Sequence, residues 1–292
     1  SSVGIMLNAA TCIATVSDCV FYRQIVHAVG MAALVTLSGN TVSVTDCVAI
    51  GGTGMGTTAL YNLTVNAGTY TNLAGANGSV SAFIIQSTAT IPTLNISNWR
   101  AYVCTSSNIQ INTISENTQS AALFSNISSW RSAAEGILLG SSTTGACINT
   151  MIDSGRLFGN ATRGLSIGFC FSTFVENMLI YNEALYDQPN GIAFNNHLEN
   201  VYFDSCQLGV VLPHSVSDVR DVCPRNEHNA TFRNCLFGST TEFSNQSLYT
   251  PGSAVGSSRH EQTAGVQKMF KKFGTITLDS TFYKVAAPSQ RL

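Results

Sequence analysis

Short runs of alternating apolar and small polar residues follow one another along the chain, and long stripes with a helical period are missing. This alternation is typical of short β-strands. One hexapeptide occurs twice: residues 95–100 read Asn-Ile-Ser-Asn-Trp-Arg, and residues 126–131 read Asn-Ile-Ser-Ser-Trp-Arg, 31 positions later. Each copy is typical of a short strand that enters a polar corner. A period of about 20–50 residues indicates a stacked-repeat architecture.

The same pattern, an apolar residue followed two positions later by a small residue, can be found in nine places. The predicted apolar column is Val16, Val44, Val65, Ile96, Ile127, Ile152, Ile180, Phe203 and Phe232. The predicted corner column is Asp18, Asp46, Ala67, Asn98, Ser129, Ser154, Asn182, Ser205 and Asn234. Asn, Asp and Ser tolerate turn dihedrals, and stacked Asn side chains can bond to each other. We therefore expect the apolar residues to lie in register inside successive coils, with polar residues at their corners.

These columns predict an all-β fold, a single-stranded parallel β-helix (solenoid). Each coil would contain two or three short strands, and the coils would stack about 4.8 Å apart. The alternative is a β-sandwich, which also has many short strands and Gly-rich turns. A sandwich gives no reason for a corner that recurs at this interval.

The pattern divides the chain into three parts. Residues 1–40 are predicted to form an N-terminal cap and the first coil, with the apolar stretch 25–34 over the open end of the solenoid. Residues 41–238 are predicted to form the β-helix. Residues 239–292 lack the corner, so we expect a linker and a non-helical C-terminal strand tail for subunit or shell contact. All four lysines of the chain lie in this tail.

Charge is sparse: 10% of residues are charged, 45% are hydrophobic, and the net charge is −2. So few charges suit a flank that is buried against sister chains. No global field attracts nucleic acid or a membrane surface, and we expect neither as a partner. The sequence begins with Ser1, so we expect a processed chain or a fragment.

The nine cysteines are an odd number and include no CxxC pair, which argues against zinc. Cys19 and Cys47 share one column, and Cys206 and Cys235 share another. We expect free, buried thiols that pack as small apolar residues. Disulfides are the alternative.

Catalysis would need paired carboxylates, and the candidates are Glu176 and Glu199, each followed by Asn. We expect the two to occupy one column, where they could act as acid and base on a glycan. The alternative, which we favour, is that both are solvated corner residues. The expectation is therefore a chain without catalytic, cofactor-binding or metal-binding residues.

Other side chains offer weaker candidates for chemistry. Three histidines, with an aspartate as a further ligand, could bind a metal, but solvated loop histidines are the better interpretation. The residues concerned are His197, His214, His228, Asp218 and Asp221. Trp99 and Trp130 are expected to stack on adjacent coils, with Arg100 and Arg131 beside them. Such a pair could bind sugar rings or could be ordinary packing.

Through its repeated corners, the chain resembles over residues 12–238 the right-handed parallel β-helix of tailed-phage tailspikes. It also resembles the tailspike-fold trimers that some phages carry as capsid decoration (cement) proteins. The resemblance implies a right-handed homotrimer on the virion surface, assembled in the host cytoplasm. Its partners would be the major capsid protein or another virion protein, with a host glycan as a further possibility.

The function expected from this resemblance is a non-enzymatic bacteriophage structural protein that decorates and cements the capsid. The alternative is a tail spike or fibre that binds, or cleaves, host surface polysaccharide.

Overall fold

The structure, a computed structural model, describes residues 3–7, 13–24, 27–31, 41–51, 59–64, 67–87, 93–113, 122–140, 146–221, 228–238, 243–245, 260–263, 266–269, 275–278 and 283–284. These residues form β-strands and no helix. Consequently no helix among them could cross a membrane.

The strands are β1 (Val3–Leu7), β2 (Ile13–Ser17), β3 (Val20–Gln24), β4 (His27–Met31), β5 (Thr41–Thr45), β6 (Val48–Gly51), β7 (Tyr61–Thr64), β8 (Ala67–Thr71), β9 (Ala74–Ala76), β10 (Phe83–Ser87), β11 (Thr93–Ser97), β12 (Arg100–Tyr102), β13 (Ile109–Thr113), β14 (Ala122–Trp130), β15 (Glu135–Leu139), β16 (Cys147–Ile148), β17 (Thr150–Phe158), β18 (Arg163–Tyr181), β19 (Asn190–Asp204), β20 (Gln207–Leu208), β21 (Ser217–Asp221), β22 (His228–Arg233), β23 (Leu236–Phe237), β24 (Phe243–Asn245), β25 (His260–Thr263), β26 (Val266–Met269), β27 (Thr275–Leu278) and β28 (Tyr283–Lys284).

The fold is an all-β parallel solenoid of the right-handed type. The first sheet runs β2–β5–β8–β11–β14–β17–β18–β19–β22–β27. The second runs β3–β6–β9–β12–β14–β17–β18–β20–β23–β28. The third runs β1–β4–β7–β10–β13–β15–β18–β19–β21–β24. All these pairings are parallel, so each coil contributes one strand segment to each sheet.

One corner joins the first sheet to the second, and its nine residues all have left-handed backbone, with φ between 52° and 64°. They are Asp18, Asp46, Asn72, Asn98, Asn126, Ser154, Asn177, Ser205 and Asn234. Short polar side chains tolerate this conformation because they can bond to nearby groups. Asn98 Nδ2 donates to Asn72 Oδ1 at 2.8 Å, and Asn126 Nδ2 donates to Asn98 Oδ1 at 2.7 Å. The predicted polar corner therefore exists, and it carries an amide ladder.

Three of the predicted corner positions were wrong. Ala67 begins strand β8, and the corner of that coil is Asn72. Ser129 is buried, and the corner of its coil is Asn126. Asn182 has no left-handed backbone, and Asn177 takes its place.

The apolar column inside the first sheet is Val16, Val44, Tyr70, Ile96, Phe124, Ile152, Val175, Phe203 and Phe232. The predicted partner Val65 lies outside the described residues. Ile127 and Ile180 were predicted in this column but belong to others. Ile96 is in register with Phe124, so the true offset here is 28 residues, not 31. The Phe203–Phe232 contact was predicted correctly, with the rings stacked at 4.6 Å.

The two ends of the solenoid differ from the prediction. Part of the proposed cap forms strand β4, which is paired on both sides, with β1 and β7. The other residues of the stretch 25–34 lie outside the described ranges. In the tail, β27 and β28 pair in parallel with β22 and β23. These segments therefore continue the sheets of the solenoid, whereas the prediction was a non-helical tail.

Seven cysteines are described, and all have free thiols. Cys12 and Cys223 lie outside the described residues. Cys147 is in register with Cys170, and both are fully buried. Burial raises the pKa of the Cys104 thiol, and a backbone hydrogen bond from Gly78 lowers it by less. The net pKa is about 12. The six buried thiols pack in the core as small apolar side chains, whereas Cys19 is half-exposed.

Candidate functional site

Three carboxylates lie next to one another on the outer surface of the first sheet. Asp153 on β17 is in register with Glu176 on β18, and Glu176 is in register with Asp204 on β19. We call these three residues the acidic column. Neighbouring strands lie about 4.8 Å apart, so each carboxylate is close to the next. All three are half-buried.

The outer two members of the acidic column are fixed by hydrogen bonds. Asp153 accepts from Ser154 Oγ at 3.0 Å and from Asn177 Nδ2 at 2.8 Å. Asp204 accepts from Asn234 Nδ2 at 3.0 Å and pairs with Arg233 at 2.6 Å. Burial raises the pKa of Asp204, but these donors outweigh it and hold the pKa below its usual value.

Glu176 differs from its neighbours in having no hydrogen-bond or ion-pair partner among the described residues. It is the middle member, so it forms a close pair with either aspartate. A carboxyl group without protein partners remains available to a ligand.

An apolar stripe lies beside the acidic column, two residues earlier on each strand. Phe174 and Tyr202 stack at 5.1 Å with an angle of 12° between the rings. They are 40% and 38% exposed, and Leu123, two strands before Phe174 in the same stripe, is 43% exposed. Exposed aromatic rings beside carboxylates are the combination that contacts both the apolar face and the hydroxyl groups of a sugar.

The predicted pairing of Glu176 with Glu199 was wrong. Glu199 is in register with Phe171, five residues before Glu176 on the same strand. Its carboxylate lies 2.8 Å from His197 Nε2. The shared Glu-Asn motif misled the prediction because Asn177 and Asn200 both have left-handed backbone but lie at different corners of the coil.

The interpretation of the histidines as solvated was wrong for His214. His214 Nδ1 lies 2.7 Å from Asp218 Oδ1, and both side chains are fully buried. His214 Nε2 lies 3.2 Å from Gln188 Nε2, so this polar group is satisfied inside the solenoid. The side chains of Asp221 and His228 lie outside the description. No group of described residues is arranged to hold a metal ion.

A second surface lies on the outside of the second sheet, across the corner from the acidic column. Tyr102, Trp130, Phe158 and Tyr181 stack in successive coils, with ring separations of 4.7, 5.7 and 5.2 Å. We call these four residues the aromatic ladder. All four rings are half-exposed, and their planes are within 6° of parallel.

Charged side chains surround the aromatic ladder. Arg131 pairs with Glu183 at 2.6 Å and lies over the Tyr186 ring at 4.3 Å. Burial raises the pKa of Tyr181; the charge of Arg156 lowers it, and that of Glu183 raises it further. The net pKa is raised, and the two charges therefore act directly on the last ring of the ladder.

The predicted Trp99–Trp130 stack is wrong. Trp99 is fully buried, stacks on Phe83 at 4.4 Å and donates from Nε1 to Tyr70 O at 2.9 Å. Trp130 belongs to the aromatic ladder on the other side of the sheet. The ladder itself was missed, although the spacing of 28 residues from Tyr102 to Trp130 and from Trp130 to Phe158 is visible in the sequence.

Comparison with known proteins adds little about chemistry. Neither a protein-family model nor a curated protein matches this sequence. Two solved structures are similar. The A-module of the Azotobacter vinelandii mannuronan C-5 epimerase AlgE6 is 12% identical, with a TM-score of 0.38; the match covers 98% of this chain and 84% of that one. The A-module of AlgE4 from the same organism is 11% identical, with a TM-score of 0.37; the match covers 86% and 83%.

Both similar structures are of enzymes, so the expectation that the chain is not an enzyme finds no support in this comparison. At these identities and scores, the likeness carries no argument about substrate or reaction. The chain is thus a parallel β-solenoid whose activity has to be inferred from its own side chains.

Proposed function

We propose that the protein is a polysaccharide-binding and polysaccharide-cleaving β-solenoid of the tail spike or fibre type, with its active site on the outer face of the first sheet. The observation that carries this proposal is the acidic column beside the exposed Phe174–Tyr202 stack. The aromatic pair binds the apolar face of a sugar, and the carboxylates face the glycosidic bond.

The spacing of the carboxylates suits hydrolysis with retention of configuration. Strands in register lie about 4.8 Å apart, and retaining glycosidases hold their two carboxyl groups about 5–5.5 Å apart. Asp204 is held ionised by its hydrogen bonds and acts as the nucleophile. Glu176, which has no hydrogen-bond or ion-pair partner among the described residues, donates the proton to the leaving oxygen and then activates the water that releases the sugar.

Glu176→Gln tests this proposal. We expect the release of reducing ends from a cleaved polysaccharide to fall by about 10³-fold or more, because both proton transfers are lost. The screen would use a panel of bacterial surface polysaccharides. Glu199→Gln is the matched control: it also removes one carboxylate from β18–β19, but outside the acidic column, and it should leave the rate unchanged.

Two results count against the proposed activity. The first is a Glu176→Gln variant that cleaves as fast as the wild type. The second is a product whose anomeric configuration is inverted, since that would place a water between more widely separated carboxylates.

The phage setting comes from the resemblance in the sequence, and so do the homotrimer and capsid-decoration expectations. They stay predictions. The location of the protein on a virion, at the tail or on the head, tests them separately from cleavage.

A further inference from the structure

A column of arginines runs beside the aromatic ladder on the second sheet. Arg100 is in register with Ser128, and Ser128 is in register with Arg156. The two arginines therefore lie two coils apart along the solenoid axis. The spacing of neighbouring strands puts their backbones about 9.6 Å apart. Both arginines are exposed.

Neither arginine is neutralised by a described residue. Arg131 on the same side pairs with Glu183, but Arg100 and Arg156 have no ion pair or hydrogen bond among the described residues. Arginine presents a planar set of donors that fits carboxylate and sulfate groups. Two unpaired guanidinium groups in one column favour a ligand with repeated negative charges.

The arginines and the rings face the same direction. Arg100 and Tyr102 are two residues apart on β12, and Arg156 and Phe158 are two residues apart on β17. Side chains two apart on a strand project from the same face. A cationic column and an aromatic column thus lie side by side on this surface. Together they can contact the acidic groups and the apolar ring faces of a sugar polymer.

The aromatic ladder ends at Tyr181. Ile180 is in register with Leu208, so the residue that follows Tyr181 down the ladder is Gly209. Glycine has no side chain, and the Tyr181 ring stacks only on Phe158 among the described residues. No aromatic ring of the described residues covers the far face of the Tyr181 ring, and the charge of Arg156 lies near it.

We propose that this face of the second sheet is a binding site for an acidic polysaccharide, a chain of sugars that carry carboxylate or sulfate groups. The chain lies along the solenoid axis with its acidic groups on Arg100 and Arg156, and one sugar ring stacks on Tyr181. This site is separate from the acidic column, which lies on the first sheet and would repel the same groups.

Binding can be measured by affinity electrophoresis or calorimetry with three defined polymers: polygalacturonate, dextran sulfate and uncharged dextran. We expect both anionic polymers to bind and dextran not to bind. A preference between carboxylate and sulfate identifies the acidic group. Binding should weaken as salt screens the exposed guanidinium groups.

Arg100→Gln and Arg156→Gln should each weaken binding by about tenfold, because each removes a charge-assisted contact. Arg23→Gln is the matched control, since Arg23 is also exposed but lies three coils away from Arg100, at the irregularity within β3. It should bind as the wild type does. Tyr181→Ala should weaken binding of both anionic polymers.

A further variant, Ser128→Asp, separates loss of binding from misfolding of the protein. Ser128→Asp places a carboxylate between the two arginines, where it pairs with them, so it should abolish binding without lowering the unfolding midpoint. The proposal is overturned if dextran binds equally well, or if Ser128→Asp and the arginine variants bind as the wild type. It is also overturned if these variants change only the oligomeric state, which would make the face a contact between copies of the chain. None of these outcomes depends on cleavage. The proposed binding site can therefore be refuted while the proposed cleavage activity stands, and the cleavage activity can be refuted while the binding site stands.

Discussion

The amide ladder at the first corner gives the sharpest test of how coils are held in register. Asn98 is its central member: it donates to Asn72, accepts from Asn126, and has φ of 57°. Replacing it with alanine removes both side-chain hydrogen bonds and leaves the Cβ in left-handed backbone without the polar group that compensates for it. Asn98→Gly removes the same bonds but leaves the backbone unstrained.

The two variants should therefore differ by the cost of the left-handed conformation. That conformation costs about 1–2 kcal/mol for alanine. The two exposed hydrogen bonds contribute toward the low end of about 0.5–1.5 kcal/mol each. We expect Asn98→Ala to lose about 2–3.5 kcal/mol of unfolding free energy and Asn98→Gly about 1–1.5 kcal/mol.

Urea unfolding followed by circular dichroism measures these losses. Ser97→Ala is the control, since Ser97 is the adjacent residue in extended strand β11, and it should shift the midpoint little. Equal midpoints for the alanine and glycine variants would refute the reasoning about left-handed backbone. A wild-type midpoint for both would refute the stabilising role of the ladder.

Two further predictions concern ionisation. Asp204→Asn should destabilise the protein near neutral pH, because hydrogen-bond donors outweigh burial and lower the pKa of Asp204 in the folded state. The ionised Asp204 stabilises the fold fully above its unfolded pKa of about 3.9. This stabilisation is lost as the pH falls through the folded pKa. The gap between variant and wild type should therefore close on acidification, and a gap that stays constant contradicts this assignment. Cys104, buried and with a pKa of about 12, should resist maleimide at neutral pH while half-exposed Cys19 reacts, as mass spectrometry of the labelled protein can show; equal labelling rates would place Cys104 outside the core.

The fold could be predicted from the sequence because a corner with left-handed backbone restricts the residue types that can occupy it. Asp18, Asp46 and Asn234 could be placed from this rule alone. The rule does not fix the register, however, when two candidate residues lie close together. The repeated hexapeptide has Asn at both its first and its fourth position in the copy that contains Asn98. In the structure Asn98 aligns with Asn126, the first position of the next copy.

That shift of three residues explains the error at the two tryptophans. Trp99 and Trp130 occupy the same place in the two hexapeptides, yet one faces the core and the other faces outward. The acidic column was missed for a related reason. Asp153 and Asp204 each precede a serine that was correctly predicted at the corner. Glu176 precedes Asn177, but Asn182 was predicted as the corner of that coil, so the middle member of the acidic column was placed out of register.

The most direct test of the central claim is a cross-link that reports the register of successive coils. In the structure Ser97 is in register with Ser125, and neighbouring strands lie about 4.8 Å apart. Cysteines introduced at these two positions should form a disulfide under mild oxidation, detected as a linked peptide by mass spectrometry. A register offset by 31 residues would instead join position 97 to position 128. A link from 97 to 125, and none from 97 to 128, is the predicted result; the opposite pattern would contradict the alignment on which both proposed sites depend.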